Sequence, residues 1–356
     1  MEIKNLLLLT VMLLGTSSCK SQNTNTTDMN PDQFEDKVYK SEACIIDVRT
    51  AQEYAEGHLY RAVNIDWQKE GFMDEVEQKF NKAQTLAVYC RSGRRSAEAA
   101  AALIKKGYKV INLKEGYQSW TAAGKMTNTY TVEAVSTGGD PLFITLIKHG
   151  SVELSFKGYS IQVDPVSGHG KNTDYSKEFP KADAILITHE HGDHLDKNAI
   201  LALSSDKTEI LMNAKSQQQT GLGRVISNGE HYTLSPHGII VQAYPAYNTT
   251  PGREQFHPKG NGNGYHLLFH GDLNAYVAGD TEDIPEFADI PKNIQHRITV
   301  AFLPVNQPYT MTVDQCVNAA NMLRPKILIP YHFSQTDLSK LPSLLPDMDV
   351  RLRDMQ

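Results

Sequence analysis

Along the first third of the chain, short and continuously apolar runs alternate with stretches whose apolar residues recur at helical spacing. Residues 44–48 and Thr85–Tyr89 have the length and unbroken apolar character of strands buried on both faces. Residues 96–106 carry an Ala/Leu/Ile face and stop at Gly107, which predicts an amphipathic helix. Strand and helix in alternation predict a parallel sheet flanked by helices over residues 31–124. After residue 140 the pattern changes. Residues 143–148, Ser151–Phe156 and Tyr159–Val163 are apolar runs joined by glycine turns, and 184–188 is a further buried strand. An antiparallel start passing into mixed α/β predicts a layered sandwich with outer helices over residues 140–356. Between the blocks, residues 125–139 gather Thr, Gly and Ser around one strand-like stretch and read as a linker.

The first nineteen residues follow another pattern. Lys4 precedes the apolar run 6–14, and Gly15-Thr16-Ser17-Ser18 leads to Cys19. This predicts a secretory signal peptide, too short to span a membrane as a mature helix. Small residues before a cysteine resemble a bacterial lipobox, although Thr16 stands where that pattern has leucine. The resemblance implies acylation of Cys19, export, and a periplasmic or cell-surface lipoprotein anchored to a membrane. Simple cleavage with a free Cys19 is the alternative. Residues 20–30, rich in Ser, Asn, Thr and Gln, read as a flexible tether. An acylated Cys19 leaves Cys44, Cys90 and Cys316, an odd number that implies at least one unpaired thiol. Cys44 and Cys316 lie in apolar and helical settings and read as buried small hydrophobes. A formal charge of −6 offers no broad basic surface, so nucleic acid is not an expected partner.

Cys90-Arg91-Ser92-Gly93-Arg94-Arg95 follows an apolar strand and precedes a helix. A cysteine there meets loop amides, a helix N-terminus and arginines, a setting that stabilises a thiolate or persulfide anion. Nucleophilic sulfur chemistry is the expected use, with a strand-ending buried cysteine as the plainer alternative. Residues 31–124 resemble the rhodanese family. The motifs are Asp47-Val48-Arg49, Glu53-Tyr54, Gly57-His58-Leu59 and Ala62-Val63-Asn64-Ile65, the Cys90 loop, and Gly107-Tyr108, Val110, Asn112-Leu113, Gly116 and Trp120. The resemblance implies a persulfide on Cys90, a cradle of loop amides from Arg91, Ser92, Gly93, Arg94 and Arg95, and an anionic sulfur donor bound with help from Arg95. A six-residue loop is the length found in sulfurtransferases rather than in their phosphatase-type relatives. Glu115 stands where the family usually has glycine, at the mouth of the site. Asp47, Arg49 and His58 are expected to be structural.

His189-Glu190-His191-Gly192-Asp193-His194 lies between an apolar strand and a helix-like stretch, 195–203. Three histidines and an aspartate in six residues form a ligand set suited to one or two zinc ions, with iron or manganese less preferred. A structural zinc site normally uses thiolates, and no CxxC is present. The run resembles the HxHxDH signature of the metallo-β-lactamase superfamily over residues 140–334. Val163-Asp164-Pro165, Gly279-Asp280-Thr281 and Pro330-Tyr331-His332 follow the family's order. Lys148-His149-Gly150-Ser151-Val152 resembles the branch of ascorbate-phosphate lactonase-like hydrolases. The resemblance implies that Asp280 bridges two metals and His332 completes the second site. Where relatives often have another histidine, this chain has Asn248, so the first site's third ligand is open between Asn248 and His257. Asn248 is also a candidate substrate contact, and His257 can equally be a substrate contact or a bystander. Asp193 is expected to orient water as well as ligate, and His149 to stabilise a leaving group or stand behind the ligands. His231, His237, His266, His270 and His296 read as surface residues.

Three functional classes follow. The first is a two-centre enzyme, a sulfurtransferase joined to a hydrolase of a small ester, lactone or phosphoester. The second is a persulfide dioxygenase holding one iron, coupled to the rhodanese block. The third is a hydrolase on which the rhodanese block only docks a partner.

Overall fold

The protein is described by a computed structural model over residues 26–40, 43–294 and 296–355. Cys19, the signal-like segment and the start of the expected tether lie outside the described residues.

The N-terminal sheet is parallel. Its strands are β1 (Thr26–Met29), β2 (Cys44–Asp47), β3 (Val63–Asn64), β4 (Thr85–Tyr89) and β5 (Lys109–Leu113), in the order β1-β5-β4-β2-β3. Buried Val, Ile and Leu line both faces, as expected for strands covered by helices on either side. The helix after β4 spans Arg94–Lys105, and Ala99, Ala100 and Leu103 form its buried face. Thr26–Met29 falls in the stretch read as a tether. It pairs instead with the otherwise open edge of β5, and Asn112 Nδ2 donates to Asp28 Oδ1 at 2.9 Å.

The C-terminal part stacks two seven-stranded sheets. The first contains β6 (Thr131–Val135), β7 (Leu142–Lys148), β8 (Ser151–Phe156), β9 (Tyr159–Val163), β10 (Ala184–Ile187), β11 (Glu209–Met212) and β12 (Arg224–Val225), neighbours in chain order. The second contains β13 (His231–Leu234), β14 (Ile239–Ala246), β15 (Gly262–His270), β16 (Leu273–Val277), β17 (Val300–Pro304), β18 (Ile327–Tyr331) and β19 (Asp349–Val350), also in order. Each sheet begins antiparallel and ends parallel. One apolar cluster, with Leu154, Ile161 and Leu186 facing Leu267, Val277 and Phe302, fills the space between them. Outer helices Lys197–Leu203 and Val313–Leu323 cover the two outside faces, giving an αββα sandwich.

The stretch read as a linker is built into both halves. Thr127–Asn128 pairs with His58–Leu59, and β6 is the edge strand of the first sandwich sheet. Val132 and Ala134 of β6 pack in the core of the N-terminal sheet domain. Its Thr-rich sequence reads as a loop because its apolar face is short and its partners lie far away in sequence. Tyr60 donates to the buried Glu153 of β8, and Arg61 Nη1 donates to Ser155 Oγ at 2.8 Å, so polar contacts also cross the junction.

Candidate metal centre and cysteine loop

The histidine motif follows β10 directly. Thr188 closes that strand by donating its N–H and its hydroxyl to the Asp164 carboxylate at 2.7 and 2.6 Å. Asp164 itself ends β9, and its Oδ2 lies 2.7 Å from His194 Nδ1. His149 turns between β7 and β8, Asp280 follows β16, and His332 follows β18. His149, Asp164 and His332 adopt left-handed φ values of 43°, 45° and 48°. Such backbone is unfavourable for non-glycine residues and concentrates where side chains must be aimed. Gly150 is required by proximity, because a Cβ there would sit 2.6 Å from the His194 ring.

These loops bring together His189, His191 and His257 in one group and His149, Asp193, His194 and His332 in another, each with ligand atoms within 4.8 Å of one another. Asp280 lies between them. Its Oδ2 is 3.2 Å from His257 Nε2 and 3.4 Å from His332 Nε2, and its Oδ1 is 3.3 Å from His194 Nε2. Asp193 Oδ2 is 3.1 Å from His149 Nε2 and 3.3 Å from His332 Nε2.

His257 therefore stands beside His189 and His191, whereas Asn248 does not. Asn248 is buried and donates its amide to the carbonyls of Arg253 and Tyr309 at 3.2 and 2.7 Å, and its N–H to the His257 carbonyl at 2.9 Å. It braces the His257 loop. Sequence reasoning gave Asp164 no role. Its position at the end of a buried strand, in an Asp-Pro pair, was the available signal. His266, read as a surface residue, is buried with Nε2 3.2 Å from Asn274 Oδ1, whereas His231, His237, His270 and His296 are exposed.

Charge in the cluster divides cleanly. Burial, aided by neighbouring imidazoles, keeps His189 well below the ordinary imidazole value, and burial also lowers His191 and His149. Burial opposes ionisation of Asp280 and Asp193. The His332 and His194 charges outweigh it at Asp280, and hydrogen bonds from His149 and His332 outweigh it at Asp193, so both carboxyls lie far below the usual range. His194 is the exception: burial disfavours its charge, yet Asp280 and Asp164 raise it well above the usual value. Neutral imidazoles and ionised carboxylates are the protonation states that bind divalent cations.

The fit to a metal rests on unpaired atoms. His194 Nε2, His257 Nε2 and Asp280 Oδ1 are buried without a hydrogen-bond partner, an arrangement costly to leave unfilled. His257 Nδ1 donates to the Tyr309 carbonyl at 3.1 Å and His194 Nδ1 faces Asp164, so Nε2 of each ring is aimed inward. Ligand atoms at these separations suit ions bound at roughly 2.0–2.2 Å. On this geometry His189, His191 and His257 would hold one ion and Asp193, His194 and His332 a second, with Asp280 between them and His149 beside the second.

In the N-terminal domain, Cys90 follows β4, and Gly93 N–H donates to its sulfur at 3.2 Å. Arg91, Ser92 and Arg94 are exposed around the loop. Arg95 grips the Glu53 carboxylate with two bonds of 2.7 Å and also interacts with Cys90, so its guanidinium braces the loop beside the sulfur. Asp47 and Arg49 form a buried pair, and His58 stacks on Tyr54 at 3.8 Å, the structural roles expected of them.

A family model described as "Rhodanese-like domain" matches residues 30–123, and one described as "Beta-lactamase superfamily domain" matches residues 143–332. A UPF0173 metal-dependent hydrolase of Koribacter versatilis is 32% identical over 202 residues, covering 54% of this chain and 84% of the relative. Its counterpart from Geobacillus sp. is 31% identical over 218 residues, covering 57% and 93%. A solved structure from Parabacteroides distasonis, described as a "Putative metal-dependent hydrolase", is 49% identical with a TM-score of 0.59, covering 64% of this chain and all of that one. The chain belongs to the beta-lactamase superfamily, as a metal-dependent hydrolase of the metallo-β-lactamase fold preceded by a rhodanese-like domain.

Proposed function

We propose that the chain is an exported two-centre enzyme, a rhodanese-type sulfurtransferase at Cys90 joined to a dinuclear, zinc-dependent hydrolase of a small ester, lactone or phosphoester. The observation that carries the hydrolase reading is the pair of histidine groups sharing Asp280, with three buried ligand atoms left unpaired. Bound divalent ions supply Lewis acidity and the means of ionising water near neutral pH. The chain's own groups then divide the work. Asp193 and His149 keep side-chain exposure of 26% and 20%, so the substrate meets the cluster on their side. Asp193 orients the water, and the proton that water gives up passes through the neutral His149 imidazole, 3.1 Å from Asp193, to the departing oxygen. Water's hydroxyl thus joins the acyl or phosphoryl centre as the bond to the leaving oxygen breaks.

The test is metal content of protein purified without added metal, followed by hydrolysis assays. About two ions per chain, bound by two ligand sets in the manner of dinuclear hydrolases, with ester or phosphoester turnover is the expected result. A single iron with oxygen uptake on a persulfide would replace this reading with the dioxygenase. At the other centre, formation of thiocyanate from thiosulfate and cyanide is expected and is lost in Cys90→Ser. Its absence in the native protein would leave the rhodanese-like domain as a docking module. Export and anchoring through Cys19 rest on the N-terminal sequence pattern, and incorporation of labelled palmitate that disappears in Cys19→Ser is the check.

A further inference from the structure

Beside the second ligand group lies a cavity of about 290 Å³ lined by His149, His169, Gly170, Ser334, Gln335 and Met355. Its inner wall is His149, whose ring packs 3.8 Å from that of His332, and its outer wall is His169, which stacks over His149 at 6.3 Å with an interplanar angle of 18°. His169 belongs to the loop that leaves Asp164. The loop reverses through two consecutive left-handed residues, His169 at φ 59° and Gly170 at φ 80°.

A buried lysine holds this loop in shape. Lys148, adjacent to His149 on β7, directs its ammonium at the carbonyls of Ser167, Gly168 and Lys171, at 2.8, 2.5 and 2.7 Å. All three ammonium protons are thereby used on one short loop, and no carboxylate shares them. Two further bonds close the loop: Thr173 N–H to Ser167 O at 3.0 Å, and Ser167 N–H to Asp196 Oδ2 at 3.0 Å. Asp196 also caps the helix Lys197–Leu203, so the loop is tied to rigid elements on two sides.

We propose that Lys148 is a positioning residue that fixes the 167–171 loop so that His169 forms a substrate-binding wall, and that the pocket takes a neutral ester or lactone rather than a phosphoester. The proposal rests on the hydrolase reading above and narrows its substrate class. The described side chains lining the cavity are two imidazoles, a hydroxyl, a carboxamide and a thioether. They offer hydrogen bonds to a small polar ligand. Lys148, next to His149 in the chain, has its protons committed to carbonyls. Beside the ions, no arginine or lysine among these lining residues is present to meet the remaining oxygens of a phosphate group, whereas phosphate sites ordinarily supply one. The cavity sits at the lower end of the usual size for small-ligand pockets, which suits a compact acyl group.

The test uses the full metal-replete chain with p-nitrophenyl acetate, γ-butyrolactone and p-nitrophenyl phosphate. The acetate and the lactone are expected to show the higher kcat/KM. His169→Ala is expected to raise KM for both by about fivefold, the loss of one hydrogen bond, with a smaller change in kcat. Lys148→Met should reproduce that rise with metal content retained. The double variant should be no worse than either single one, because both changes remove the same wall. Hydrogen exchange supplies a readout apart from activity: amides of residues 167–173 should exchange faster in Lys148→Met, and Lys148→Arg should restore part of the protection. Preference for the phosphate, an unchanged KM in His169→Ala, or unchanged exchange in Lys148→Met would each overturn the proposal. If the metal-loaded protein hydrolyses none of the three, the hydrolase reading fails. The pocket is then judged by the His169 ring NMR signals, which should move with γ-butyrolactone and not with inorganic phosphate; the reverse response sinks it.

Discussion

His257 and Asn248 show what a single side chain contributes and what sequence can say about it. Both were candidates for one coordination position, and the choice between them depends on where two loops meet. Asn248 Nδ2 and His257 Nδ1 converge on the same Tyr309 carbonyl. That contact turns the imidazole inward and consumes the amide. Replacing His257 by alanine is therefore expected to lower metal content by about one ion per chain, whereas Asn248→Ala weakens metal affinity by about 10–100-fold, the usual effect of losing a ligand's support. Metal analysis after dialysis against a graded chelator series separates the two; equal losses would mean that the His257 ring is not a ligand. The HxHxDH run was legible because its members are contiguous and their clustering is costly without a metal. Asp280 and His332 became legible only through resemblance, since each is one residue at a strand end. His257 stayed ambiguous because nothing in its neighbours encodes the distance to His189.

At the scale of elements, the cysteine loop is held by backbone fit and by one ion pair. A Cβ on Gly116 would lie 2.3 Å from the Cys90 carbonyl, and Gly116 has φ of +63°. Gly116→Ala must push the helix Gly116–Ala122 away from the loop or unwind its first turn. The expected cost is about 1–3 kcal/mol, with loss of thiosulfate–cyanide transfer; a fully active, equally stable variant would refute this packing. Glu53 does two tasks, closing the capping box of the helix Ala51–Ala55 and receiving the Arg95 fork. Those bonds, Arg95 first, hold its carboxyl at about 2, below the ordinary 4.5. A depressed folded value means the interaction supports the fold fully above about pH 4.5 and loses its effect as pH falls toward about 2. Glu53→Gln should thus melt below the native protein near neutral pH, and the gap should close on acidification. A gap that widens in acid would exclude the pairing. Periodicity placed the strand and helix flanking Cys90 to within two residues, yet gave no sign that Arg95 would turn to Glu53. A pairing 42 residues apart is fixed by the sheet, not by local spacing.

At the scale of the molecule, the two functional halves share structure where composition suggested a break. Strand β6 pairs with β7 along Thr131–Val135 while its side chains Val132 and Ala134 enter the N-terminal core. Phe143 of β7 packs in that same core. The buried Glu153 of β8 accepts hydrogen bonds from Tyr60 of the N-terminal domain and from its neighbours Thr145 and Ser160. Sequence patterning located both domains because each repeats its own alternation of strands and turns. It missed the junction because a single edge strand with one short apolar face looks the same as a turn-rich connector. A chain beginning at residue 140, the boundary that composition suggests, would lack β6 and expose the backbone edge of β7 together with Phe143. Unprotected apolar edges pair with other chains, so this truncation should be recovered mainly as aggregate. A chain beginning at residue 125 keeps the covering strand and should remain soluble, though less stable, because Val132 and Ala134 lose their cover and Glu153 loses its bond from Tyr60. Size-exclusion chromatography of the two truncations, with calorimetry of the full chain, distinguishes a shared strand from a connector. A soluble, metal-loaded 140–356 fragment, or two well-separated unfolding transitions in the full chain, would mean that β6 is a tether after all and that the halves stand independently.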